Sequence, residues 1–185
     1  DIQAALTRNG FGVAMAAPGE LSRQTAPVQI VLTTDRTGLP GQPSVSGLTA
    51  QGYALRRIAM GGTTRWWAIG GDARGAMYGG LELAASGSLA GVADRDATPY
   101  IASRGIKFSI PLDARSPSYS DDSSSAQANV AEMWSLDFWK AFLDAMARHR
   151  YNLLSLWNLS PFPSLVKVPE YPNVALSDVK RKSGA

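Results

Sequence analysis

Apolar and polar positions alternate along this chain in two different rhythms, and each rhythm predicts its own set of elements. Ile2 and Leu6, separated by small residues, sit at helical spacing and Asn9-Gly10 is a stop signal, so the chain opens on a short amphipathic helix. The almost continuous apolar run from Pro27 to Leu32, carrying Val28, Ile30 and Leu32, predicts a strand, and residues 35–47 are rich enough in Gly, Pro and Ser to read as a loop. Two apolar-rich segments, 53–60 and 64–69, flank Gly61-Gly62. Two glycines supply the positive φ angles of a tight hairpin turn, so these segments pair as a β-hairpin. Asp72 is a fitting N-cap for a following helix whose Ala73, Ala76, Met77, Leu81 and Ala84 keep the 3.6-residue period, with Gly87 as its stop. Gly75, Gly79 and Gly80 inside that helix cost about 1 kcal/mol each relative to Ala. Close packing of helix backbone on the sheet is the expected compensation.

After Tyr100 the rhythm changes. Residues 104–110 predict a strand, residues 111–128 are polar and rich in Ser and Asp, and Ser135 is a candidate N-cap. Trp139, Phe142, Leu143 and Met146 form an i, i+3, i+4, i+7 stripe, and Arg148, His149 and Arg150 stand at the negative end of the helix dipole. Leu153 to Trp157 is a short apolar run suited to a strand buried on both faces. Strand, helix, strand in this order is the βα unit of a parallel sheet. The fold class expected is therefore α+β: a small mixed sheet with a packed helix over residues 1–98, then βα units over residues 99–185, separated by the Gly, Ser and Asp-rich stretch 86–98.

Composition narrows the chemistry. At 45% apolar and 18% charged residues the chain can bury a real core, which argues against disorder. The net charge of +3 comes with scattered arginines, so no nucleic-acid partner is implied. Apolar stretches fall well short of the roughly 20 residues of a membrane span. Cysteine is absent, removing disulfides, thiolate nucleophiles and cysteine metal sites, and His149 is the sole histidine, so no metal and no cofactor is expected. The phosphate-loop, dinucleotide, nucleophile-elbow and zinc-protease motifs are missing. Gly70 to Gly75 opens a helix without the phosphate fingerprint and reads as a strand-to-helix turn. The start at Asp1, with no charged leader and apolar core, suggests a mature product from which a signal segment was removed, secreted or periplasmic.

Candidate contacts follow the two later strands: Asp113 and Arg115 after the first, Trp157, Asn158 and Ser160 at and after the second. Side chains just beyond the carboxyl ends of parallel barrel strands face the active site, which makes Asp113, Arg115, Trp157 and Asn158 the substrate-binding candidates. An Asp113–Arg115 surface pair and a turn-forming Asn158 are the competing assignment. Asn158-Leu159-Ser160 also matches a glycosylation sequon.

Two of these stretches carry a resemblance. Tyr53-Ala-Leu-Arg-Arg, the Gly61-Gly62 turn and the segment Ala68-Ile-Gly-Gly-Asp-Ala-Arg-Gly-Ala-Met-Tyr-Gly-Gly-Leu-Glu-Leu-Ala resemble the zincin-like α+β domain that precedes the catalytic barrel of family 20 hexosaminidases and family 67 α-glucuronidases. Arg104-Gly105-Ile106-Lys107-Phe108 resembles the Arg-Gly strand that begins their (β/α)8 barrel, and Met146 to Asn158 resembles the approach to its second strand. The resemblance implies an accessory domain followed by the first βα units of an incomplete barrel, since a full barrel takes about 250 residues. It implies the amino-terminal part of an exo-acting glycoside hydrolase acting on poly- or oligosaccharides, without activity by itself, because the acidic catalytic residues of those families lie on later strands. The catalytic residues are then unknown within this chain. Its partners would be a carbohydrate substrate and the remainder of its own barrel or another copy of the chain. The alternative from a different class is a stand-alone carbohydrate-binding or protein-interaction module stacking sugars on Trp66, Trp67, Trp139 or Trp157.

Overall fold

The computed structural model describes residues 1–35, 38–110, 129–157 and 169–170. It is a mixed α+β chain dividing into two compact units, Asp1–Ala102 and Ser103–Ala185. In chain order the elements are α1 (Ile2–Arg8), β1 (Val28–Thr33), β2 (Tyr53–Met60), β3 (Thr63–Gly70), α2 (Ala73–Ala85), β4 (Arg95–Ala97), β5 (Gly105–Ser109), α3 (Leu136–Arg148) and β6 (Leu153–Trp157). Short 3₁₀ turns cover Pro18–Arg23 and Leu89–Gly91.

The first unit is built on a four-stranded sheet of order β1-β3-β2-β4. The hairpin β2–β3 is antiparallel with Met60 opposite Thr63, and its turn uses Gly61 at φ 51° and Gly62 at φ 89°, the left-handed pair that a two-residue turn demands. β1 pairs parallel to β3, with Ile30 opposite Trp66 and Val31 opposite Trp67. Consecutive residues of a strand face opposite sides of the sheet, yet Trp66 is 1% exposed and Trp67 0%. β3 is therefore covered on both faces. On one face Trp67, Ile69 and Val31 pack with Leu21 and with Leu39, Val45 and Leu48 of the loop that the sequence marks as irregular. Helix α2 lies on the other.

The face that α2 presents differs from the expected stripe. Ala73 and Met77 are exposed, Met77 at 40%, whereas Gly75, Ala76, Tyr78, Gly79, Gly80, Leu81 and Leu83 are buried. The glycines themselves form the contact. A Cβ on Gly79 would meet the Ala68 Cβ at 3.1 Å and the Tyr53 ring at 3.2 Å, one on Gly80 would strike Ile2 and Leu32, and one on Gly75 would run into the Gly52 carbonyl oxygen. Burial weight thus sits where the side chain is missing, and the hydrophobic period points about one residue away from the true interface. The helix also stops at Ala85 rather than at Gly87, with Ser86 as its C-cap and the Ser86 hydroxyl donating to Leu83 O at 2.7 Å.

β4 falls in the stretch that reads as a separator. Polar pairing explains it: Arg56 meets Asp96 at 2.7 Å, Arg95 meets Glu82 at 2.9 Å, and the Arg57 amide donates to Asp94 at 2.8 Å. A strand held by charged edge pairs leaves no apolar pattern to read. Residues 98–102 stay with this unit, where Gln51 Nε2 donates to Ala102 O at 2.9 Å.

In the second unit β5 and β6 pair in parallel, Gly105 opposite Leu153 and Ser109 opposite Trp157. Ser135 caps the connecting helix α3, accepting from the Phe138 amide. Ile110 and Met133 make a small core with Phe138 and Trp139, and Met146 is buried further along α3. β6 is not buried on both faces, as Leu153 is 53% and Leu156 39% exposed. Among the described residues β5 and β6 pair with no further strand.

Helix propensity favours Gly75→Ala by about 1 kcal/mol, while a methyl against a backbone carbonyl that cannot step aside costs about 3 kcal/mol or more. The clash wins. Urea denaturation is expected to show Gly75→Ala destabilised by about 2 kcal/mol or more, with Gly87→Ala, whose Cβ meets nothing within 4 Å, within about 0.5 kcal/mol of the parent.

Candidate functional site

At the strand-to-helix turn of Gly70 to Gly75 three amides are spent inside the protein: Gly71 N donates to Gly52 O at 2.8 Å, Ala76 N to Asp72 O at 3.1 Å, and Gly75 N to Asp72 Oδ1 at 2.8 Å. Asp72 Oδ1 also accepts from Gln51 N at 3.0 Å, and Arg74 reaches Oδ2 at 3.2 Å. Burial alone would raise the Asp72 carboxyl, but the Gly75 and Gln51 amides and the Arg74 guanidinium outweigh it and hold it below its ordinary value. Gln51 sits in the left-handed region at φ 63°, a conformation that costs an L-residue about 1–2 kcal/mol. The Asp72 and Ala102 bonds pin it there.

The paired tryptophans are not a sugar platform. Trp66 and Trp67 are spent in the core of the first unit, with Arg57 over the Trp66 ring at 5.8 Å and Arg65 over the Trp67 ring at 5.6 Å. Arg65 is itself buried, donating from Nε to Gln29 Oε1 at 2.9 Å and from Nη1 to Pro40 O at 2.8 Å. Trp139 is half-buried, its Nε1 donating to Met133 O at 2.9 Å and its ring packed edge-on against Phe138 and Phe142. His149 caps the C-terminus of α3 and is exposed. Among the described residues no group of three His, Asp or Glu side chains could hold a metal ion, and no helix is long and apolar enough to cross a membrane.

Trp157 is half-buried at the carboxyl end of β6, and its carbonyl accepts from Ile110 N at 2.8 Å. The two strand ends are thereby held side by side. Side chains beyond the carboxyl ends of adjacent parallel strands share one edge, where ligands bind in parallel α/β sheets. Asp113, Arg115 and Asn158, with Ser160, lie outside the described residues.

A second concavity escapes any reading of the sequence. A cleft of about 440 Å³ opens in the first unit between α1, the first residues of β1 and β3, and the end of α2 with residues 86–90. The hairpin register that sets Arg57 opposite Trp66 was open to inference; the approach of α1 and of residues 86–90 was not.

No protein-family model matches the chain, and no curated protein does. Among solved structures it is similar to a GH138 enzyme targeting pectin rhamnogalacturonan II, with a TM-score of 0.56 and 22% identity. The likeness is one of fold. The match covers 92% of this chain and 23% of that one, so it extends over both units yet spans under a quarter of the neighbour's length.

Replacing Asp72 by Asn keeps an acceptor oxygen and removes the charge. At pH 7 the variant is expected to be less stable by about 1–2 kcal/mol. Because the folded carboxyl titrates below its ordinary 3.8, the advantage of Asp72 is present above that value and lost as pH falls through the lowered folded-state pKa. Urea midpoints of the two proteins should therefore converge on acidification below pH 3.8, and a gap that stays constant would contradict the assignment.

Proposed function

We propose that this chain is part of an exo-acting glycoside hydrolase, with a zincin-like accessory domain over residues 1–98 and the first βα units of a (β/α)8 barrel over residues 99–185. The observation that carries the proposal is the parallel β5–α3–β6 unit within a chain whose fold likeness to a glycoside hydrolase extends over 92% of its length. The resemblance of Arg104 to Phe108 to a barrel's opening strand, and of residues 53–84 to the accessory domain of families 20 and 67, supports the finer assignment.

Glycoside hydrolysis takes two carboxyl groups, one donating a proton to the leaving oxygen and the other acting as nucleophile or activating water. In this proposal both come from later strands of the same barrel, and this segment contributes substrate contacts. Trp157 offers an indole face to a sugar ring, Arg115 and Asn158 donate to hydroxyl or carboxylate oxygens, and Asp113 accepts from hydroxyls. The remainder of the barrel is the partner, the substrate is a poly- or oligosaccharide, and the setting is secreted or periplasmic. Rhamnogalacturonan II oligosaccharides are the first substrates to try, alongside aryl glycosides.

Expressed alone, the 185-residue chain is expected to release no sugar from either substrate set. Expressed within its full open reading frame it should release a monosaccharide from at least one, and Trp157→Ala there should lower kcat/KM by about 10-fold or more. Turnover by the isolated chain that disappears on changing Asp113, or Asp137 in the first turn of α3, would overturn the proposal, as would an open reading frame that codes for nothing more than these residues.

A further inference from the structure

The cleft of about 440 Å³ has the size of a small-molecule site, typically about 300–1,000 Å³. Its residues all belong to the first unit, so what it binds does not depend on the proposed hydrolase. Leu6, Phe11, Leu83 and Leu89 give it an apolar wall, and Phe11 is 48% exposed there. A single charged residue lines it, Arg57, and no carboxylate does.

Arg57 differs from the arginines around it. Arg56 is matched by Asp96, Arg74 by Asp72 and Arg95 by Glu82, while Arg65 is enclosed by Gln29 and Pro40 O. Among the described residues the Arg57 guanidinium has no ion pair and no hydrogen bond; its one contact is the Trp66 ring at 5.8 Å. Arg57 is exposed, its guanidinium carbon lies within cation–π range of the Trp66 ring, and its N–H donors are given to no other group among the described residues. Neutral donors stand in the same lining, the Thr64 hydroxyl among them. Ser88 Oγ accepts from Ala90 N, which leaves its hydroxyl proton to give, and Asn9 brings a side-chain amide. An apolar wall, an unspent cation and neutral donors are the complement of a molecule with an apolar ring and one carboxylate.

We infer that this cleft binds a small amphipathic carboxylate, an aromatic or alicyclic acid, with Arg57 taking the carboxylate and the Leu6, Phe11, Leu83 and Leu89 wall taking the ring. The amide of the same acid keeps the shape and loses the charge, so the pair isolates the role of Arg57. Calorimetric titration of the 185-residue chain is expected to show saturable binding of 2-naphthoate, with 2-naphthamide weaker by about 10-fold or more. Arg57→Gln should bring naphthoate down to the level of the amide, and Arg57→Lys, which keeps the charge, should retain a preference for the acid. Circular dichroism melts of both variants check folding. No saturable binding of naphthoate to the parent chain would overturn the inference. Equal affinity of the parent for acid and amide would overturn it as well, and so would a folded Arg57→Gln that keeps the full preference.

Discussion

One strand, β3, sets the terms for the first unit. It carries two tryptophans in succession, and neighbouring strand residues face opposite sides, so burying both requires a layer on each side of the sheet. Each indole removes about 150–250 Å² from water, about 4–6 kcal/mol apiece as an upper estimate. That gain outweighs the roughly 1–3 kcal/mol cost of Trp67 Nε1, which is buried without a hydrogen-bond partner among the described residues. It also accounts for the fate of residues 39–48: a segment too rich in Gly and Pro for regular structure is still held against the sheet, because Trp67, Ile69 and Val31 need cover.

On the opposite face the same demand is met by a helix with few side chains at its contact. Gly75 lets the α2 backbone come against the Gly52 carbonyl, Gly79 and Gly80 seat the helix on the Ala68, Tyr53, Ile2 and Leu32 side chains, and Asp72 ties the start of that helix to Gln51. A carboxylate accepting two amides is both a helix cap and a tether between segments 21 residues apart. At this turn a negative charge at the helix start is supplied from within. The second unit shows the contrast. Among its described residues Ile110, Met133 and Met146 are covered while Leu153 and Leu156 are exposed, whereas a parallel sheet is ordinarily covered on both faces.

The two cation–π pairs show how one residue type takes different roles. Arg65 over Trp67 is enclosed by Gln29 and the Pro40 carbonyl, and its hydrogen bonds hold loop to sheet. Arg57 over Trp66 stands on the other face beside a cleft, with its polar edge uncommitted. Burial and the count of polar partners distinguish a clamp from a candidate ligand group.

Much of this was readable from local pattern. The hairpin around Gly61-Gly62, the caps at Asp72 and Ser135, strands β1, β5 and β6 and the parallel βα order all follow from turn chemistry, capping and periodicity, which are short-range effects. Trp157 could be placed at a strand's carboxyl end for the same reason. What tertiary structure decided is everything that depends on residues distant in sequence. Periodicity put Met77 in the stripe, whereas the cost of three glycines inside a helix already pointed to the close contact that Gly75, Gly79 and Gly80 make. β4 owes its position to Arg56–Asp96 and Arg95–Glu82 pairs, which leave no hydrophobic signal. The burial of Trp66 and Trp67 depends on loop 39–48 and helix α2 arriving from either side, and the cleft beside Arg57 exists because α1 and residues 86–90 line it together. Local sequence determines which elements form; the area each can bury against the others determines which faces are core and which charges remain available to a ligand.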